Sequence, residues 1–177
     1  MSAGKISRAG ILIGIGLGAA TRGKAEAAGD ITHANAAIHQ EVTFAASPSR
    51  VYQALITAAT FDRVVRAGFG MKSSMMGMLG KNPTAIDREP GGAFTLFGGY
   101  ITGRNLELVR DTRIVQAWRA ASWDPGWFSI AKFALSQHAS GTKLVFDHTG
   151  FPNEAAAHLA SGWYEHYWNP LKKVLTT

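Results

Sequence analysis

The chain has no cysteine, which excludes a disulfide framework, a thiolate metal site, a thiol nucleophile and a lipid anchor on an N-terminal cysteine. Such a chain tolerates an oxidising compartment. It is also poor in charge. Only 17% of its 177 residues are charged while 46% are hydrophobic, a balance that excludes a disordered charged tail and suits one well-buried domain rather than two. No apolar run reaches the roughly 20 residues needed to span a bilayer, so no permanent membrane span is expected. Phosphate-binding glycine loops, the serine elbow and the zinc-protease helix are all missing. An enzyme is therefore unsupported by motif, and no cofactor is implied.

Acids are missing from the start of the chain, where Lys5, Arg8, Arg22 and Lys24 precede the first carboxylate, Glu26. A basic start, an apolar glycine-rich run over Ala9–Ala20 and small residues ending in Ala25-Glu26-Ala27 have the layout of an export signal, with cleavage expected after Ala27. Ser7-Arg8-Ala9-Gly10-Ile11-Leu12 resembles a twin-arginine signal with Ala9 in place of the second arginine, so the general secretory route is the simpler expectation. The protein is then periplasmic or secreted; if the segment is a retained extension, it is cytoplasmic. Removing residues 1–27 takes away four basic side chains and one acidic one, and lowers the net charge from +6 to +3. No dense basic stripe is left, which argues against a nucleic-acid partner.

Residues 28–37 read as a linker and 38–177 as the domain. Ile38–Phe44 alternates apolar and polar residues, the period of a half-buried strand. Ser47-Pro48 then begins a helix, with a hydroxyl cap and proline at the first position, and a second short helical stretch is expected over Thr60–Ala67. Gly68–Pro83 is rich in glycine and methionine without clear period and reads as a mobile loop or lid carrying Met71, Met75, Met76 and Met78. Strand-like runs follow at Ala93–Phe97, Tyr100–Val109, Thr112–Ala120, Trp127–Ala139 and Thr142–Thr149, separated by turns short enough for an antiparallel meander. Leu159, Trp163, Tyr167, Leu171 and Val174 then make a stripe on one helical face, with Pro170 expected to kink the helix. The sum is an α+β sheet-and-helix sandwich.

Several blocks have the wording of a known family. They are Gly99-Tyr100-Ile101-Thr102-Gly103-Arg104-Asn105-Leu106-Glu107-Leu108, then Arg113–Arg119 followed by Ser122-Trp123 and Pro125-Gly126. Gly141-Thr142-Lys143-Leu144 leads next to His148-Thr149-Gly150-Phe151-Pro152, and Gly162-Trp163-Tyr164-Glu165-His166-Tyr167-Trp168 closes the series. In this order they resemble the activator-of-heat-shock-protein-90-ATPase-like family of the START, or Bet v 1-like, superfamily (SRPBCC), from about Ile38 to Leu175. The resemblance implies a helix-grip fold, a curved antiparallel sheet wrapped around a long C-terminal helix. Family members that stimulate the cytosolic chaperone do so with an additional N-terminal domain, so the resemblance is taken to imply the fold rather than that activity.

In a sheet that curls around a helix, alternate residues face inward, so alternation nominates a cavity lining. Leu144, Phe146 and His148 share one face, Phe133 and Leu135 another, and Ile114, Gln116 and Trp118 a third; the facing of Glu107 stays open. Fourteen of the 18 aromatic residues lie between Phe94 and Trp168. The candidate lining is Phe94, Tyr100, Gln116, Trp118, Trp123, Phe133, Leu135, Phe146, His148, Trp163 and Tyr167, with the four methionines as its lid. Such side chains either fill a core or line an apolar pocket with a few polar tips. His148 is either a proton carrier or a satisfied core histidine. Glu154, His158 and Glu165 lie off the apolar stripe and read as a solvated face, so no metal site is expected. Thioethers select cuprous copper, but a greasy lid is the simpler reading.

The leading expectation is an exported binding protein that holds a small apolar or amphipathic molecule between sheet and C-terminal helix. The alternatives are a polyketide-cyclase or aromatase type of enzyme using His148 with Gln116 or Tyr100 in the same cavity, and a chaperone-associated or protein-interaction module.

Overall fold

Strict alternation governs the first strand: Ile38, Gln40, Val42 and Phe44 are buried while His39, Glu41 and Thr43 between them are exposed, as a strand with one wet face requires. This strand, β1 (Ala36–Phe44), opens a computed structural model that describes residues 36–70 and 74–176. The described residues fall in a single unit, His33–Thr177. The export segment expected over 1–27 and the lid residue Met71 lie outside them. No helix among the described residues is long and apolar enough to cross a membrane.

After β1 the Ser47 hydroxyl accepts from the Arg50 amide at 3.4 Å and Pro48 occupies the first turn of α1 (Pro48–Ile56), as the sequence required. Helix α2 (Ala58–Phe69) buries Phe61, Val64 and Val65 and stops at Gly70, whose φ of 74° suits glycine. The expected loop over 68–83 is a correction: α2 runs to Phe69, and Ser74–Lys81 forms a further helix, α3. Gly77 and Gly80 weaken its local preference, which concealed it. What holds it is contact with a turn far along the chain, described below.

The two-residue strand β2 (Ala85–Ile86) and then β3 (Ala93–Leu96), β4 (Ile101–Val109), β5 (Arg113–Ala120), β6 (Ser129–His138) and β7 (Gly141–Phe151) complete the sheet. Seven strands lie in the order β1-β7-β6-β5-β4-β3-β2 with every pairing antiparallel. Each hairpin from β3 to β7 joins neighbours, and β1 closes against the last strand, Val42 opposite Leu144. A bulge between Asn105 and Glu107 leaves Leu106 unpaired and 48% exposed. That bulge is why alternation alone left Glu107 open. Its carboxylate accepts from the Arg113 guanidinium, Nε to Oε2 at 3.0 Å, across the β4–β5 hairpin, and this contact holds it below the usual carboxylate range.

The C-terminal helix packs on the inner face of the sheet in three pieces: α4 (Ala156–Trp163), a π turn (Tyr164–Trp168) and α5 (Asn169–Leu175). The disturbance expected at Pro170 takes the form of this wide turn, closed by the Asn169 N–H on Tyr164 O. A proline offers no N–H and collides with the carbonyl four residues back, and a wider turn just before it answers both demands. The extra residue also turns two consecutive side chains inward, Tyr167 at 4% and Trp168 at 0% exposure.

Two buried indoles fix the helix on the sheet and a third lies within the sheet, each with its own polar partner. Trp168 Nε1 donates to Gln40 Oε1 of β1 at 2.6 Å, while Gln40 Nε2 donates to Ala160 O at 2.9 Å. Trp163 Nε1 donates to His148 Nδ1 of β7 at 3.1 Å. Within the sheet, Trp118 Nε1 donates to Gln116 Oε1 at 3.3 Å, Gln116 Nε2 to Asn105 Oδ1 at 2.9 Å, and Asn105 Nδ2 to Asp87 O at 2.6 Å. Buried polar groups are tolerated when paired in this way.

Candidate functional site

The space between sheet and helix divides into a filled end and an open end. At the filled end, under β1, β6 and β7, the rings of Trp163 and Trp168 stack at 5.4 Å and press on Phe146, at 4.2 and 5.2 Å, and on Phe133. At the open end, under β4 and β5, lies a cavity of about 360 Å³, inside the range of small-molecule sites. Its floor is Ile101 of β4, Trp118 and Ala120 of β5, and Trp123 of the loop that follows. One wall is the C-terminal helix, with His158, Leu159, Gly162, Trp163, His166 and Tyr167, and Ala155 just before it. The other is Phe69 at the end of α2, Met75 and Met78 of α3, Phe97 and Tyr100, with Ser122 at the rim. Among the described residues no carboxylate, lysine or arginine lines it.

Of the residues nominated by sequence, the structure brings Tyr100, Trp118, Trp123, Trp163 and Tyr167 to this cavity together with Met75 and Met78. It does not bring Phe94, Gln116, Phe133, Leu135, Phe146 or His148 there. All six are buried, but away from this cavity; Phe94 borders a separate hollow with Thr102, Gly103 and Ala117. Phe133 and Phe146 lie beneath the paired indoles, and Gln116 is committed to Asn105 and Trp118. Met76 stays off the wall, its sulfur 3.7 Å from Arg66 Nη1. Among the described residues no group of three or more His, Cys, Asp or Glu side chains converges as metal ligands would.

His148 has no free edge. It is fully buried, and because Nδ1 accepts from Trp163 the ring proton sits on Nε2, which donates to Ser129 Oγ at 2.7 Å; Ser129 in turn donates to Trp118 O at 3.3 Å. Desolvation pushes its pKa down to about 3. A neutral imidazole with both nitrogens committed is a support for Trp163, not a proton carrier for the cavity, and the acid-base role considered for it is corrected on that ground.

The cavity's polar groups are few. Tyr100 Oη and Ser122 Oγ lie 3.1 Å apart at its rim. His166 stacks flat on Phe69, ring centres 4.3 Å apart and planes 11° apart, and burial lowers its pKa, with His158 acting the same way and Glu165 against it. Tyr167 contacts the rings of Phe61, Phe97 and Trp163, and burial raises its pKa well above the ordinary value. Neither Tyr167 Oη nor His166 Nδ1 has a hydrogen-bond partner.

One wall is strained. Phe97, Gly98 and Gly99 follow one another at φ of 51°, 65° and 92°, and the first is a bulky residue in a region that side chains rarely adopt. This turn points the Phe97 ring inward and receives α3: a Cβ on Gly98 would stand 2.5 Å from Met78 Cβ. Helix α3 thus seats against glycine backbone. Sequence reading missed Phe97 because only this turn aims it, and missed Phe69 because α2 continues two residues past its expected end. Ile101 was within reach of alternation on β4, and Leu159 already stood in the helical stripe. His158, His166 and Gly162 lie off that stripe and reach the cavity because it is open at the edge of the helix.

A curved antiparallel sheet closed by a C-terminal helix, with an apolar cavity at one end, defines a helix-grip α+β domain. The chain belongs to the family of Activator of Hsp90 ATPase homolog 1-like proteins, whose model matches residues 45–176. It is 24% identical over 132 residues to the mouse activator of 90 kDa heat shock protein ATPase homolog 1, covering 75% of this chain and 35% of that protein. It is 34% identical over 92 residues to an uncharacterized protein of Schizosaccharomyces pombe, covering 52% of this chain and 27% of the other. The chain thus spans between about a quarter and about a third of the length of these relatives. Among solved structures, an Hsp90 activator from Plasmodium falciparum superposes with a TM-score of 0.67 at 22% identity, over 79% of this chain and 96% of that one. An Aha1 dimer from Colwellia psychrerythraea gives 0.60 at 17%, over 78% and 95%. At these identities the structural likeness speaks for the fold.

Proposed function

We propose that this domain binds a small apolar or amphipathic molecule in the cavity between α3, β4–β5 and the C-terminal helix. The supporting observation is the contrast inside one interior: one end packed with stacked indoles, the other holding about 360 Å³ lined mainly by apolar and aromatic side chains, with no carboxylate, lysine or arginine among the described residues. Methionines on a short glycine-containing helix suit an adaptable cover. Native mass spectrometry of freshly purified protein, alone and with a panel of lipids and aromatic compounds, tests the reading. A retained or added mass is expected, and a bare protein with every compound overturns it. The basic, apolar and small-residue layout of residues 1–27 supports export as the setting; N-terminal sequencing from the native cell fraction decides it, and an intact Met1 would end it.

A second reading, a protein-interaction module of the Hsp90 type, is favoured by the relatives described as activators of that ATPase. Adding the purified domain to Hsp90 and measuring ATP hydrolysis tests it; an unchanged rate ends it.

A further inference from the structure

The sheet ends differently on its two sides. At one end the edge strand β2 has two residues, Ala85 and Ile86. At the other end the edge is β1, nine residues long and paired only with β7. A free edge presents a row of unpaired N–H and C=O groups, and natural sheets blunt it by shortness, proline, lysine, inward-pointing charge or a bulge. Shortness blunts β2. Strand β1 has no proline, no lysine and no inward-pointing charge, and its one register shift falls at its very start, between Ala36 and Ala37. Among the described residues no backbone group outside β7 hydrogen-bonds to the backbone of β1, and the C-terminal helix meets it from the inner face, through Gln40.

We propose that β1 is the pairing edge for a second copy of this chain, the two strands running antiparallel about a two-fold axis at Gln40 and joining two sheets into one. The order of side chains along the strand argues for that partner and that register. Opposed residues must share a face, and pairing about Gln40 overlaps the whole strand, with about eight backbone hydrogen bonds formed. It sets Ile38 opposite Val42 of the second copy on the buried face and His39 opposite Glu41 of the second copy on the exposed face, each twice by symmetry. Within one chain His39 Nδ1 lies 2.7 Å from Asp147 Oδ1, and Lys143 Nζ lies 2.9 Å from Glu41 Oε1. The exposed row across the junction therefore reads Asp147, His39, Glu41, Lys143, with no like charges adjacent. An axis at Glu41 would instead set that carboxylate against itself, and an axis at His39 would set imidazole against imidazole. The cavity lies under β4 and β5, away from this edge, so the pairing does not depend on any ligand.

Sedimentation velocity on the full chain should show a concentration-dependent dimer. His39→Glu, which meets Glu41 of the second copy with another carboxylate at two places, should weaken it about 10-fold, while His39→Lys, which keeps the opposite charge there, should leave it intact. Because the chain has no cysteine of its own, the register can be read separately and at two exposed positions. A mixture of His39→Cys and Glu41→Cys should oxidise to a disulfide-linked dimer more readily than either variant alone, since opposed residues of antiparallel strands lie within disulfide reach. A wild type that stays monomeric at every concentration overturns the proposal and leaves the edge to a strand of another protein. So does a dimer whose strength is the same in His39→Glu, or one in which the mixed cysteines link no faster than the separate ones.

Discussion

The filled and open ends of the interior are made from the same materials. Both are floored by alternating strand residues, both are roofed by one helix, and both are rich in aromatic rings. They differ in how far the rings fill the gap. At the filled end the helix supplies Trp163 and Trp168 onto Phe133 and Phe146, so indoles occupy the space that the sheet's curvature makes. At the open end Trp118 still meets Trp163 at 4.9 Å, but beside them the sheet offers only Ala120 and Ile101 and the helix only Leu159 and Gly162, so space remains. An aromatic-rich helix-grip interior is thus neither a pocket nor a core by composition. Which it becomes is decided residue by residue along the helix.

The largest way to break the contrast is to remove the ring that fills one end. Trp168→Ala deletes a side chain with no exposure and strands Gln40 Oε1; urea unfolding should show a loss of about 3–5 kcal/mol. Next comes acid. The folded pKa of His148, about 3, lies below the unfolded value near 6.5. The unfolded chain therefore takes up the proton first, so this stabilisation is fully present above pH 6.5 and fades as pH falls towards 3. Between pH 7 and pH 4 the wild type should lose about 3 kcal/mol that His148→Gln does not; equal slopes for the two proteins would show the histidine to be solvated. A paired substitution sharpens the comparison itself. Ala131 on β6 and Ala120 on β5 are both buried, at 0% and 3%, but only Ala120 borders the cavity. Ala131→Leu should cost about 1–3 kcal/mol by overpacking, whereas Ala120→Leu should cost less than about 1 kcal/mol and reduce uptake of cavity probes. A further test lies at α3. Gly98→Ala places a methyl against Met78 and strains a φ of 65°; more than about 1 kcal/mol should be lost, with faster amide exchange over Ser74–Lys81 as its specific mark.

Which parts of this were legible in the sequence follows from which signals are local. Strand alternation is local, and it placed Leu144, Phe146 and His148 on one face and Ile114, Gln116 and Trp118 on another. The cap at Ser47 and the stripe from Leu159 to Val174 are local too. Alternation reports that a side chain points inward, however, and not whether anything meets it there. That is why Phe94, Phe133, Leu135 and Phe146 were nominated beside Trp118 and Tyr167 although the cavity touches only the latter two. Helix α3 was illegible because its glycines weaken the helical preference that its contact with Phe97–Gly99 restores. Trp168 escaped the stripe because a strict helical period has no place for two adjacent inward residues, and only the π turn supplies one.

That wide turn also separates the duties of the C-terminal helix. Before it, α4 shows Leu159, Gly162 and Trp163 to the cavity; after it, Pro170, Leu171 and Leu175 are buried. An added residue in a helix advances the angle of everything beyond it by about a quarter turn, so the turn acts as a phase shifter between a half that borders the cavity and a half that clamps the core. Deleting one residue from 164–168 would leave the composition nearly intact yet rotate the clamp away from its seat. A length change of one, rather than any single side chain, is the alteration this helix is least able to absorb.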